Sequence, residues 1–155
     1  MMRVVLDTNV LVRVVASPHG PAADLFECLG ANDLLVTSAA LLSELTEILA
    51  YDRIRKLHGL DDVDINRFVD RVAIGSLIAA LEYPLMSVVL ADPDDDAVVA
   101  TAVAGRANVI CTRNKHLRDP DVLAYCAAHS IRVADDLELL RELRARDAGG
   151  CRLDR

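Results

Sequence analysis

The hydrophobic pattern alternates between short apolar runs and longer segments with helical spacing. The short runs are rich in Val, Leu and Ile, which favours buried strands, whereas the longer segments place apolar residues three or four positions apart. Strands are predicted at 3–6, 34–37, 87–91, 108–112 and 131–133. Helices are predicted at 20–31, 38–51, 61–82, 92–107, 119–130 and 135–146. This alternation predicts an α/β fold, a three-layer α/β/α sandwich with a central, mainly parallel sheet.

The length and composition are those of one globular domain. A chain of 155 residues, 53% of them hydrophobic, can bury a sizeable core, and it shows no internal repeat or linker. We therefore predict a single domain over residues 1–146. Residues 147–155 are polar and contain glycine, so they are predicted to form a C-terminal tail that frays.

Charge and cysteine usage limit the classes of partner and compartment. The formal net charge of −7 argues against a protein that binds polyanions through overall basicity, although it leaves room for a local basic patch or a cation-mediated contact. The four cysteines form no C-x-x-C pair, so reduced thiols in a cytoplasm fit best. Asp7 and Arg13 interrupt the apolar N-terminus, and no uncharged stretch approaches the length of a membrane span. We expect a cytoplasmic protein with no membrane partner.

Polar residues follow the predicted strands at the points where those strands end. In "RVVLDTNVLVRVV", Asp7 ends the first strand, and Ser38 follows the second and opens the helix that carries Glu44. The acidic block Asp92–Asp96 follows the third strand, and Thr112–Asn114 follow the fourth. Ligands in open sheets of this kind bind beyond the carboxyl ends of the strands. We therefore expect these side chains to share one edge of the sheet.

The segment "DPDDD" contains carboxylates of two kinds. Asp92, Asp94 and Asp95 are interpreted as a helix start, because acidic residues cap and stabilise the positive end of a helix. Asp96 shares a helical face with Val99 and Val103, which is the buried face. A carboxylate on that face needs a partner.

Three carboxylates, Asp7, Glu44 and Asp96, are predicted to converge. Taken alone, Glu44 fits a surface charge on the rim of its helix equally well. Its assignment to the site rests on the convergence with the other two carboxylates. Carboxylates this close together repel one another unless their charge is offset by a cation, a shared proton or a basic side chain such as Arg13 or Arg113. Oxygen ligands without thiolates or paired imidazoles are those that Mg²⁺ or Mn²⁺ prefers, so a hard divalent cation is the sharper explanation.

These residues resemble the PIN-domain nucleases, and within them the VapC-type toxins and related prokaryotic single-domain members. The resemblance runs over nearly the whole chain. It is carried by "VVLDTNVLV", by "TSAALLSEL" with Ser38 and Glu44, by "DAVVATA" with Asp96, and by the strand that ends in Thr-Arg-Asn. The order and spacing of these motifs, rather than any one of them, make the resemblance specific.

The resemblance implies a ribonuclease that hydrolyses phosphodiester bonds of single-stranded RNA with Mg²⁺ or Mn²⁺. It implies that Asp7, Glu44 and Asp96 are the catalytic and metal-binding residues. It also implies that polar residues around them orient ligands or waters, namely Asn9, Ser38, Thr112 and Asn114. A cognate antitoxin that masks the site and a homodimer are further implications of the resemblance to toxins.

The chain departs from the family pattern at Asn114, where many members carry a fourth acid, and this departure puts tight binding of a second metal in doubt. Asp119 could reach the site from its loop, but we favour a helix cap for it. Arg113, Lys115 and Arg118 are predicted to contact the nucleic-acid backbone without reading its sequence. His116 is interpreted as a surface or phosphate contact rather than a catalytic residue.

Two alternatives to a ribonuclease belong to other classes of function. A PIN-like module that only binds RNA or a protein would keep the fold and the acidic pocket, and Asn114 supports it. Phosphoryl chemistry on another α/β scaffold fits poorly. A dehalogenase-like phosphatase needs a second Asp where Asn9 stands, and a response-regulator receiver needs an acidic pair where Thr8 follows Asp7.

Overall fold

The computed structural model describes residues 1–150 and contains a central sheet of five parallel strands. The strands are β1 (Arg3–Leu6), β2 (Leu34–Thr37), β3 (Ser76–Ile78), β4 (Val109–Cys111) and β5 (Arg132–Ala134). Their order across the sheet is β3-β2-β1-β4-β5, and every neighbouring pair is parallel. β1 is therefore central, and its carboxyl end lies between those of β2 and β4.

Helices cover both faces of this sheet. They are α1 (Thr8–Ala16), α2 (Pro21–Asn32), α3 (Ala39–Leu49), α4 (Asp52–His58), α5 (Asp62–Ile74), α6 (Asp96–Ala104), α7 (Pro120–Ala128) and α8 (Asp136–Gly150). Val4 and Leu6 of β1 pack into one core with α1, α2, α5 and α8, whereas Val5 packs on the other face with α6 and α7. Successive strand residues point to opposite faces, so both faces of β1 are buried. The predicted three-layer α/β/α sandwich with a parallel sheet is confirmed.

The middle of the chain differs from the sequence prediction. The single helix predicted over 61–82 is wrong, because α5 ends at Ile74 and the chain enters the edge strand β3 after Gly75. The strand predicted over 87–91 is also wrong, since that segment has no regular structure. The backbone N–H groups of Val88 and Val89 instead donate to the carboxylate of Asp96. Short apolar runs fit strands and helices equally well, and neighbours decide between them.

The two ends of the pattern also differ in detail. The apolar stretch after Asp7 had no predicted element, and it forms helix α1. α8 continues to Gly150 and so includes the first part of the predicted tail, whereas residues 151–155 lie outside the described residues. Within the described part of the chain, no helix has the length and apolar character needed to cross a bilayer.

Candidate active site

Asp7 lies at the carboxyl end of β1, where the chain turns directly into α1. Its backbone N–H donates to Cys111 O at 2.9 Å, and its carbonyl accepts from Val10 N–H at 2.9 Å. The residue is only 4% exposed, and the Thr112 hydroxyl donates to Asp7 Oδ2 at 2.6 Å. Burial raises the pKa of the Asp7 carboxyl, although the hydroxyl of Thr112 opposes this effect. Asp7 is thus a buried carboxylate that accepts a short hydrogen bond from Thr112 and is also stabilised by the backbone N–H groups of Thr8 and Asn9.

Glu44 comes to the same edge from α3. The Thr8 hydroxyl, at the start of α1, donates to Glu44 Oε2 at 3.4 Å. Glu44 is exposed, yet desolvation by the surrounding residues and the charge of Asp7 raise the pKa of its carboxyl, and Asp95 and Asp94 raise it further. The structure therefore places Glu44 within the electrostatic reach of Asp7, as the sequence predicts.

Asp95 is the third carboxylate of this group. It ends the 3-10 turn Pro93–Asp95 that precedes α6, and it makes no side-chain cap to that helix. The side-chain amide of Asn114 instead donates to Asp95 Oδ2 at 2.7 Å. Burial raises the pKa of the Asp95 carboxyl to about 6, and Asp7 is among the charges that add to the rise. Asp95 does lie at the start of α6, as predicted, but its carboxylate also belongs to this group, which the sequence did not predict. We call Asp7, Glu44 and Asp95 together the acidic site.

Asp96 occupies a different environment from its neighbour. It is buried, at 7% exposed, as the helical spacing predicts. Its Oδ1 accepts from the backbone N–H of Val88 at 2.9 Å and of Val89 at 2.7 Å. The partner that the buried carboxylate needs is therefore the irregular segment before the helix. Asp96 is not among the charges that most affect Glu44 or Asp95.

The polar residues predicted to orient ligands divide into two groups. Thr112 and Asn114 reach the acidic site directly, through Asp7 and Asp95. Ser38 is fully buried and instead caps α3, because its Oγ accepts from Leu41 N–H at 3.4 Å. The Thr101 hydroxyl of α6, which sequence reasoning missed, lies 2.8 Å from Ser38 Oγ and ties α6 to α3. Asn9 is exposed on α1.

Of the three predicted backbone-contact residues, Arg113 and Arg118 already pair with carboxylates. Arg113 Nε donates to Asp136 Oδ1 at 2.6 Å, and Arg118 Nη2 lies 3.3 Å from Glu138 Oε1. Lys115 is exposed. Within residues 1–150, none of the carboxylates of the acidic site takes part in an ion pair.

The chemistry of the acidic site suits a hard cation. Its ligand atoms are carboxylate oxygens with the Thr112 hydroxyl beside them, and Mg²⁺ and Mn²⁺ prefer oxygen to nitrogen or sulfur ligands. Asp7 raises the pKa of Glu44 and Asp95, and none of the three is in an ion pair among residues 1–150, so a bound positive charge would stabilise the group. Among the described residues, however, no group of three His, Cys, Asp or Glu side chains stands ready to hold a metal ion.

The raised pKa values give a pH dependence of stability. Burial raises the Asp95 pKa from its ordinary value of 3.8 to about 6 in the folded state. The folded state then holds a proton that the unfolded state has lost, so stability falls as pH rises between those two values. Without divalent cations, we expect the melting temperature of the wild type to fall between pH ~4 and ~6 more steeply than that of Asp95→Asn. Thermal melts in EDTA measure this, and parallel pH profiles for the two proteins would contradict the assignment.

Comparison with known proteins adds family and fold information. The sequence model of the PIN domain matches residues 3–116. The chain is similar to a chain in the crystal structure of VapBC2 from Rickettsia felis bound to a DNA fragment from their promoter, with a TM-score of 0.58. The identity is 15%, and the similarity covers 86% of this chain and 98% of that one, so it shows the fold alone. No curated protein gives a significant sequence match.

Proposed function

This chain belongs to the PIN-domain family, and from that premise we propose that it is a Mg²⁺- or Mn²⁺-dependent ribonuclease that hydrolyses single-stranded RNA. PIN domains are generally nucleases and typically use divalent metal ions. The observation that carries the proposal is the acidic site itself. At the carboxyl edge of the sheet, the charge of Asp7 helps to raise the pKa of both Glu44 and Asp95, the pKa of Asp7 is itself raised by burial, and none of the three carboxylates is in an ion pair among residues 1–150.

The three carboxylates of the acidic site would hold the cation, with Asp7 as the rigid ligand. When bound, the cation supplies Lewis-acid stabilisation of the negative charge that develops on the phosphodiester. The Thr112 hydroxyl holds Asp7 Oδ2 at 2.6 Å, and the Asn114 amide holds Asp95 Oδ2 at 2.7 Å. Both contacts fix the direction in which a carboxylate presents its other oxygen. Exposed Lys115 lies next to Asn114 and is free to meet a phosphate.

The test of this function is cleavage of a mixed pool of single-stranded RNA by the purified protein. We expect cleavage with Mg²⁺ or Mn²⁺, none in EDTA, and little with the same sequences in duplex form. The ends of the products identify the chemistry, because hydrolysis by an activated water does not require the 2′-hydroxyl. Cleavage that is undiminished in EDTA would reject the metal-dependent mechanism.

We also propose that the protein is the toxin of a toxin-antitoxin pair. The motifs of the VapC-type toxins and the fold shared with the VapBC2 chain support this proposal. Homodimer formation and an antitoxin partner remain predictions from the same resemblance. The sharpest observation is the reading frame directly upstream of the gene. A short frame that encodes a DNA-binding segment with a basic, amphipathic tail supports the toxin proposal, and its absence favours a nuclease that acts alone.

A second candidate function is RNA or protein binding without hydrolysis. It is favoured by Asn114, which brings an amide to the acidic site where a fourth carboxylate would strengthen cation binding. It is also favoured by the absence, among the described residues, of a ready-made group of metal ligands. A protein that binds single-stranded RNA tightly but leaves it intact with every divalent cation would support this second function over the first.

Asn114→Asp is expected to shift stability and metal affinity in opposite directions. The Asn114 amide nitrogen lies 2.7 Å from Asp95 Oδ2, so a carboxylate in its place would face another carboxylate at close range. Repulsion should lower the melting temperature without metal, and a bound cation should then stabilise the variant more than the wild type. Calorimetric titration with MnCl₂ and melts with and without metal measure both shifts. Unchanged Mn²⁺ affinity in Asn114→Asp would mean that residue 114 does not face the cation.

A further inference from the structure

Arg113 and Asp136 form an ion pair that the acidic site does not use. Asp136 begins α8, directly after β5, and is 1% exposed. Its Oδ1 accepts from Arg113 Nε at 2.6 Å, and this contact raises the pKa of the Arg113 guanidinium. The second carboxylate oxygen, Oδ2, is buried and has no hydrogen-bond partner within the described part of the chain. The whole side chain of Asp136 is thus directed at one nitrogen of Arg113.

Because Arg113 pairs with Asp136 through Nε, the two Nη groups of its guanidinium make no hydrogen bond within the described part of the chain. An arginine carries five N–H donors, and a bond through Nε uses only one of them. The Arg113 side chain is 42% exposed, so its terminal Nη groups remain open to solvent. Two parallel N–H donors on a planar group match a phosphate in bidentate geometry. Arg113 is therefore fixed through Nε, and its two Nη groups remain able to bind a phosphate.

The position of Arg113 in the chain places it beside the acidic site. Its neighbour on one side, Thr112, donates to Asp7, and its neighbour on the other, Asn114, donates to Asp95. Arg113 itself points the other way, towards the start of α8. The backbone of Arg113 thus borders the acidic site while its guanidinium faces away from it, so RNA with one phosphate at the acidic site would meet Arg113 through a different phosphate of the same strand.

Asp136 lies in the first turn of α8, where the helix dipole favours an acidic residue, but its burial opposes this stabilisation. Burial of an ionised carboxylate has a large desolvation cost, and a buried ion pair is often no more stabilising than apolar residues of the same size. The unpartnered Oδ2 adds to that cost. A role in positioning Arg113 would be a second reason for a carboxylate at this place.

We propose that Asp136 is a positioning residue that holds Arg113 as a clamp for a phosphate of single-stranded RNA next to the acidic site, an inference that rests on the proposed ribonuclease function. Asp136 does not touch the RNA. It fixes the guanidinium before the RNA arrives, so that less side-chain freedom is lost on binding. Arg113 then contributes one backbone contact that does not read the sequence.

The experiment is a double-mutant cycle on RNA affinity with Arg113→Met, Asp136→Asn and the double variant. Dissociation constants for a short fluorescent single-stranded RNA are measured with Ca²⁺ as the divalent cation, and a gel checks that the RNA stays intact. Arg113→Met should weaken binding by about 10- to 100-fold and reduce the salt dependence of binding by about 0.7 in the log-log slope. Asp136→Asn should weaken binding by about 2- to 10-fold. It should have no further effect in the Arg113→Met background.

The sign of the Asp136→Asn effect separates the proposal from a purely structural pair. The substitution removes a negative charge beside the RNA, so electrostatics alone would leave affinity unchanged or strengthen it. Weaker binding with non-additivity supports the clamp. Unchanged or tighter binding, or an equal loss in both backgrounds, overturns it while cleavage by the wild type still supports the ribonuclease function. A wild-type protein that neither binds nor cleaves RNA would overturn both this proposal and the proposed ribonuclease function.

Two further variants keep the test decisive. Arg132→Met is the matched control, because Arg132 is an exposed arginine paired with Glu142 at the opposite end of β5. It should change affinity by no more than about twofold. If Asp136→Asn does not fold, Arg113→Lys decides, because one ammonium bound to Asp136 leaves no fork for a phosphate. Its affinity should fall to that of Arg113→Met, and wild-type affinity would overturn the proposal.

Discussion

Asp7→Asn is expected to reduce RNA cleavage by about 10³-fold while leaving the fold intact. The carboxylate of Asp7 is the most enclosed member of the acidic site, and its loss removes a charge that the cation needs. The substitution preserves size, and an amide oxygen can still accept the hydrogen bond from Thr112. Because the carboxyl group has a raised pKa, its replacement should also leave the metal-free protein at least as stable as the wild type.

Time courses of RNA cleavage with Mn²⁺, together with thermal melts in EDTA, measure both effects of Asp7→Asn. The matched control is Asp70→Asn, which removes an exposed carboxylate from α5 and should keep wild-type activity. Cleavage that persists undiminished in Asp7→Asn would belong to a contaminating nuclease. In that case the proposed activity of this chain fails.

Asp95→Asn and Asp96→Asn are expected to have different effects although the two residues are adjacent. Asp95→Asn removes a carboxylate that is destabilised mainly by burial and less by neighbouring charges, so it should raise the melting temperature in EDTA and abolish most of the stabilisation by Mn²⁺. Asp96→Asn weakens two charge-assisted hydrogen bonds to Val88 and Val89. It should cost about 1–3 kcal/mol of stability and keep the response to Mn²⁺.

Melting temperatures against MnCl₂ concentration, measured side by side for both variants and the wild type, test this difference. RNA cleavage should fall by orders of magnitude in Asp95→Asn and by much less in Asp96→Asn at a temperature where both are folded. The reverse pattern, with the metal response lost only in Asp96→Asn, would restore Asp96 as the ligand predicted from the sequence. Equal responses in all three proteins would mean that neither residue binds the cation.

The sequence predicts the parts of the site that depend on local pattern. β1, β2 and β4 are short apolar runs bounded by polar residues, so their ends can be located within a residue or two. Asp7 and Thr112 stand at two of those ends and meet through a hydrogen bond, because neighbouring parallel strands bring their carboxyl ends together. Glu44 lies on the rim of its helix, and the position of α3 after β2 places it at the same edge.

The remaining features depend on contacts that no local pattern contains. A 3-10 turn ends just before α6, so the directions of the Asp95 and Asp96 side chains cannot be read from regular helical spacing. The two adjacent carboxylates therefore face different partners. The buried face that was correctly assigned to Asp96 meets the backbone of Val88 and Val89 rather than the acidic site. Arg113 and Asp136 are 23 positions apart, and only the pairing of β4 with β5 brings them together.

The location of the cation tests the central claim most directly. Crystals of the protein soaked in MnCl₂ would show bound manganese by its anomalous scattering. We expect a peak bounded by the carboxylates of Asp7, Glu44 and Asp95, and no peak there in crystals of Asp7→Asn. Wild-type crystals without manganese between these three carboxylates, in protein that cleaves RNA with Mn²⁺, would contradict the assignment of the acidic site.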